Sequence, residues 1–140
     1  MVDIDVSYDG KLHCSATHRP SATELATDAP VDNQGKGESF SPTDLVATAL
    51  GTCIATTMGI RARKAGHDLE GMKVHVKKIM TREGPRRIAE LPVEITVPPD
   101  VARNFDAAAR AELEHVAHTC PVRISLLDAI VVPVRFDWQG

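Results

Sequence analysis

The sequence predicts an α+β domain of mainly antiparallel sheet with two main helices, and three observations lead there. The stretch 41–66, SPTDLVATALGTCIATTMGIRARKAG, reads as one long helix. A second helical pattern runs over residues 100–118. The segments of period two come in runs rather than alternating singly with helices, giving the order βββ-α-ββ-α-β. A doubly wound parallel sheet would instead show single strands alternating with helices.

The first run begins at residues 2–7, VDIDVS, where apolar and polar residues alternate; a turn follows at residues 8–11. Residues 12–17 and 22–27 are predicted as two further strands around His18, Arg19, Pro20 and Ser21. Residues 28–40 are rich in Asp, Asn, Gly and Pro and form a loop into the first helix. Ser41 suits the N-cap of that helix, Pro42 its first position, and Asp44 the place of a capping partner facing the positive end of the helix dipole. Arg61, Arg63 and Lys64 put cations in the last turns before Gly66 closes the helix. Leu45, Val46, Ala49, Leu50, Cys53, Ile54, Met58 and Ile60 make an apolar face; Ala47, Thr48, Gly51, Thr52, Ala55, Thr56 and Gly59 make a face of small residues. Such a helix is expected to be buried between two neighbours.

After Gly66, strands are predicted over residues 73–80 and 87–97, with Pro92 confined to an edge or bulge. Asp100 is placed to cap the second helix, whose stripe is Val101, Phe105, Ala108, Ala109, Leu113, Val116 and Ala117. That helix is expected to break at Cys120, because a following proline disfavours helical backbone. A helical turn over 122–127 and a valine-rich strand over 129–136 complete the chain.

Composition narrows the function. A chain of 140 residues, with 43% hydrophobic and 25% charged residues, is expected to be one soluble domain spanning 1–140. A net charge of -3 and 4% aromatic residues offer neither a basic field nor a stacking platform, so nucleic acid is not an expected partner. No apolar run looks long enough to span a membrane and no signal pattern opens the chain, so no membrane association is expected and a cytoplasmic location is the default. Three cysteines in a reducing compartment do not make a disulfide framework. His115, His118 and Cys120 are spaced H-x2-H-x-C, but a fourth ligand and the paired CxxC spacing are missing, so no metal is assigned. No phosphate loop or Ser-His-Asp order stands out, and no bound cofactor is expected. Cys14, alternating with its strand neighbours, reads as an inert thiol, and a lone mid-helix cysteine such as Cys53 ordinarily serves as a small core residue.

One combination changes that reading of Cys53. Ser41-Pro42-Thr43-Asp44-Leu45 followed by Ala49-Leu50-Gly51-Thr52-Cys53, and later His118-Thr119-Cys120-Pro121-Val122, resembles the family of osmotically inducible protein C and organic hydroperoxide resistance proteins, OsmC/Ohr. Thr27-Asp28-Ala29-Pro30 and the order of elements agree with it over nearly the whole chain. The resemblance implies an intertwined homodimer with two active sites at its interface. It further implies a thiol peroxidase that reduces organic hydroperoxides, with Cys53 as the peroxidatic and Cys120 as the resolving cysteine. The thiolate attacks the O–O bond, and the sulfenic acid so formed condenses with the second thiol. An external dithiol then reduces the disulfide, a part played by lipoylated proteins for some relatives.

The sequence departs from the family pattern at its activating group. Thr43 stands where better-characterised members have a carboxylate that orients an activating arginine, and Asp44 lies one residue later. Asp44 is open to that orienting role or to plain capping. Arg19, the only arginine before the first helix, is the leading activator, with a solvated turn charge as its other reading; Arg86 and Arg87 are alternatives. The departure keeps a second function in view, a small-molecule binding or redox-sensing protein with little peroxidase activity.

Overall fold

A computed structural model describes all of the chain, Met1–Gly140. It divides into two compact units, Met1–Val46 and Ala47–Gly140.

In the first unit three strands, β1 (Ile4–Gly10), β2 (His13–His18) and β3 (Thr23–Asp28), form an antiparallel meander in that order. The β1–β2 turn falls later than expected from the sequence, because Gly10, Lys11 and Leu12 all take left-handed backbone and the register shifts between Tyr8 and Gly10. The third strand ends on Asp28, which is only 3% exposed. Its carboxylate accepts hydrogen bonds from the Glu38 N–H at 3.0 Å and from His13 Nδ1 at 3.2 Å, and its own N–H donates to the Phe40 carbonyl at 3.0 Å. One buried side chain thus ties the start of β2 and the end of β3 to the loop. That loop contains a single 3-10 turn, Val31–Asn33, and needs glycine at position 35, where a Cβ would lie 1.6 Å from the Ala29 carbonyl oxygen.

The loop delivers the chain to α1 (Pro42–Lys64), whose start is a capping box. The Asp44 N–H donates to Ser41 Oγ at 3.1 Å, and the Ser41 N–H donates to Asp44 Oδ2 at 2.8 Å. Its buried residues are Ala47, Leu50, Gly51, Ile54, Met58 and Ala62. The two predicted faces are therefore redrawn: Ala47 and Gly51 are inside, while Ala49 and Ile60 are exposed. The reason lies in the neighbouring strand. A Cβ on Gly51 would sit 3.0 Å from Val76 Cγ2, so helix and strand approach closely only where the side chain is missing. By length and composition alone this helix, of mean hydropathy 1.4, could cross a membrane, a test that the core helix of a globular domain also meets.

In the second unit, β4 (Lys73–Val76), β7 (Val93–Val97) and β8 (Val134–Trp138) form a sheet in the order β4-β7-β8. The β4–β7 pair is antiparallel and the β7–β8 pair parallel. β5 (Ile79–Met80) and β6 (Ile88–Glu90) form a separate antiparallel ribbon. Each long predicted strand between the helices is thus split in two, the second of them at Leu91-Pro92. Val93, Ile95 and Val97 alternate inward and join Leu50, Ile54, Met58 and Leu91 in the core.

The second predicted helix is likewise broken, into α2 (Pro99–Ala102) and α3 (Ala107–His118). Asp106, not Asp100, caps the long segment, its Oδ1 accepting from the Ala109 N–H at 2.8 Å. Between the two, Phe105 turns inward to 3% exposure and lies edge-on to His67 at 5.2 Å, with Trp138 at 6.0 Å. The short helix α4 (Pro121–Ser125) follows at the expected place. The last strand begins at Val134 rather than residue 129, since Pro133 has no N–H and serves instead as acceptor for the Val93 N–H at 2.8 Å.

Candidate active site

The two cysteines singled out from the sequence both lie in the second unit, where their thiols meet. Cys53 sits in the middle of α1, next in sequence to the fully buried Ile54, and is itself half-buried. Cys120 is at 0% exposure, at the junction of α3 and α4. Its backbone is extended, with φ -62° and ψ 150°, the geometry that the following proline demands. Pro121 then opens α4 in the place where a missing N–H is harmless. The result is an N-cap made by sulfur: the Arg123 N–H donates to Cys120 Sγ at 3.4 Å.

The electrostatics of Cys120 follow from these contacts. Burial pushes its thiol up from the ordinary cysteine range. The main-chain N–H groups of Arg123 and Val122 pull the other way, and the hydrogen-bonded Cys53 thiol adds to the rise. Both sulfurs are reduced and free, as is Cys14 on β2. Two thiols in hydrogen-bonding contact can exchange a proton, and once one of them has been oxidised to a sulfenic acid the other can displace water from it to form a disulfide.

Arg19 and Asp44 belong to the first unit and have their own partners there. Arg19 is held on both arms by Asp5, Nε donating to Oδ2 at 2.6 Å and Nη2 to Oδ1 at 2.9 Å. The pair is well exposed, at 61% and 58%, and Asp5 raises the arginine's already high pKa. Asp44 accepts the Ser41 N–H in the capping box. Among the alternatives, Arg87 donates to the Ile88 carbonyl at 2.9 Å. His118 of the H-x2-H-x-C pattern packs edge-on to Phe136 at 6.0 Å.

Two features were not read from the sequence. The amide cap on Cys120 sulfur was missed, although proline after cysteine was a usable signal for it. The Asp5 partner of Arg19 was missed because nothing local marks a contact made across strands. An open groove of about 340 Å³, lined by His75, Lys77, Pro92, Glu94, Pro133 and Arg135 among others, contains neither cysteine.

The family model described as OsmC-like protein matches residues 35–135. A solved structure from Psychrobacter arcticus 273-4, a protein named for osmotic stress induction and a detoxification response, is 42% identical; the match covers 97% of this chain and 96% of that one, with a TM-score of 0.88. The organic hydroperoxide resistance protein OsmC of Legionella pneumophila shares the fold at 16% identity, with 98% and 96% coverage and a TM-score of 0.72. The organic hydroperoxide resistance protein OhrB of Bacillus subtilis does so at 13% identity, with 98% coverage of each chain and a TM-score of 0.68. No curated protein matches the sequence.

Proposed function

This chain belongs to the OsmC-like family, and on that premise we propose that it is a cysteine-based peroxidase that reduces organic hydroperoxides. The observation that carries the reading is the contact between the Cys53 and Cys120 thiols. The names of the Legionella and Bacillus proteins, which share the fold, point to the same chemistry.

Cys53 is the attacking residue, since its sulfur is the less enclosed of the two. Its thiolate forms a bond to one peroxide oxygen, the O–O bond breaks, and the alkoxide leaves as an alcohol after taking a proton. The Cys53 sulfenic acid then lies against Cys120. The Cys120 sulfur bonds to the Cys53 sulfur and water departs, leaving a disulfide. A dithiol, free or carried on a lipoylated protein, returns both sulfurs to thiols. Arg19 is the proposed activating cation, with Asp5 in the orienting role that Thr43 cannot fill. Asp44 is assigned to the helix start that carries Cys53.

The working form is a homodimer in the cytoplasm. Ile4, Val6 and Tyr8 of β1 are exposed at spacing two, and Ala49, Thr52, Thr56 and Ile60 of α1 are uncovered in the single chain. Apolar faces of this kind fit a second copy. The cysteine variants test the chemistry. Cys53→Ser abolishes consumption of cumene hydroperoxide, whereas Cys120→Ser forms one dimedone-reactive sulfenic acid and fails to turn over with dihydrolipoamide. Full activity of Cys53→Ser would remove the assignment; a binding or sensing role would then be favoured by tight association with an apolar ligand.

A further inference from the structure

The two sulfurs that would form the disulfide are placed unequally, and the inequality bears on how the disulfide is opened. Cys53 is half-buried, on the body of a long helix. Cys120 has 0% exposure and lies at the capped start of α4. Thiol–disulfide exchange needs an incoming thiolate to reach one particular sulfur while the other departs with the bonding electrons. Access carries the direction here, since burial raises the Cys120 thiol and leaves it the poorer leaving group but for the donors at the start of α4.

We propose that the reductant attacks the Cys53 sulfur of a Cys53–Cys120 disulfide, and that Cys120 leaves as the thiolate into the first turn of α4. The proposal rests on the peroxidase reading for its setting. The incoming thiolate forms a new S–S bond to Cys53, and the Cys53–Cys120 bond breaks with its electron pair going to Cys120. The leaving sulfur already accepts the Arg123 N–H at 3.4 Å, and Pro121 stiffens the turn that holds it there. The Arg123 and Val122 N–H groups offset part of the penalty that burial imposes on negative charge. Because burial pushes this thiol upward, Cys120 then takes a proton and returns to the reduced pair. With a dithiol, the second thiolate attacks the reductant's own sulfur in the mixed disulfide. A cyclic disulfide is released and Cys53 departs as thiolate, so two electrons pass from the dithiol to the protein.

The order predicts that a slim thiol, or a lipoyl-type arm extended from its carrier, is accepted, while a thiol set flush in a carrier's surface is not. It also predicts that a monothiol stalls on Cys53.

The test uses Cys14→Ser protein, to remove the third thiol, oxidised with cumene hydroperoxide and treated briefly with 2-mercaptoethanol. Acid quenching, alkylation and peptide mass mapping then locate the adduct. The expected result is the mercaptoethanol adduct on Cys53, with Cys120 carrying the alkyl label. An adduct on Cys120, or equal adducts on both, overturns the order. If the hydroperoxide forms no disulfide, the peroxidase reading fails instead. Diamide then closes the bond, and the same mapping still decides the direction of opening.

Discussion

Asp28 and Arg19 are charged residues of the first unit whose partners lie far away in sequence, and each makes a separate prediction. Asp28 is held below its ordinary pKa chiefly by the Glu38 N–H, with His13 adding to the effect against desolvation. A lowered folded pKa means that the unfolded chain binds protons more readily. Its contribution is therefore complete above the ordinary carboxylate value near pH 4 and is lost as pH falls through the lowered folded value. Urea unfolding of the wild type is expected to show this acid limb, and Asp28→Asn to lower stability at neutral pH and flatten the limb. An unchanged limb would mean the carboxylate does not tie the loop. Arg19→Ala is expected to slow the reaction with organic hydroperoxide by about 10²-fold, the usual cost of losing one preorganised donor, as stopped-flow kinetics would show. An unchanged rate would shift the activating role to Arg86 or Arg87. Cys53 and Cys120 were singled out through the family resemblance, because by local pattern alone a mid-helix cysteine reads as a small core residue. The Asp5–Arg19 pair was not, because it depends on the β1–β2 register and on a left-handed turn that Lys11 and Leu12 give no reason to expect.

Among the elements, α1 and the α2–α3 break show what periodicity does and does not carry. The start of α1 was readable because its cap is made by residues three apart, Ser41 and Asp44, bonded reciprocally. The break at Phe105 was hidden, since Val101, Phe105 and Ala109 keep helical spacing straight across it. What separates the segments is tertiary: Phe105 packs against His67 and Trp138, and Arg110 donates to the Phe105 and Ala102 carbonyls. Asp106 then restarts the helix. Asp106→Ala is expected to cost about 1 kcal/mol, the usual worth of an N-cap, measurable by denaturant unfolding. No loss there, with a loss at Asp100→Ala, would restore the single helix. The parallel β7–β8 pair was also illegible, because strand direction depends on the crossover through α2, α3 and α4 rather than on either strand's residues.

For the whole molecule, the α+β class and its mainly antiparallel sheets follow from the order of elements, and membership of the OsmC-like family rests on the match over residues 35–135. The apolar residues left open on β1 and α1 were less legible, since a sequence marks a residue as apolar without saying whether the fold covers it. The proposed activity depends on two sulfurs separated by most of the second unit's sequence but brought together by its fold. A free-thiol count on reduced protein, taken after one equivalent of cumene hydroperoxide and combined with peptide mapping, addresses that most directly. The account predicts rapid loss of two thiols per chain and a Cys53–Cys120 linkage, with Cys14 still free. Slow loss, or a linkage that includes Cys14, would contradict it.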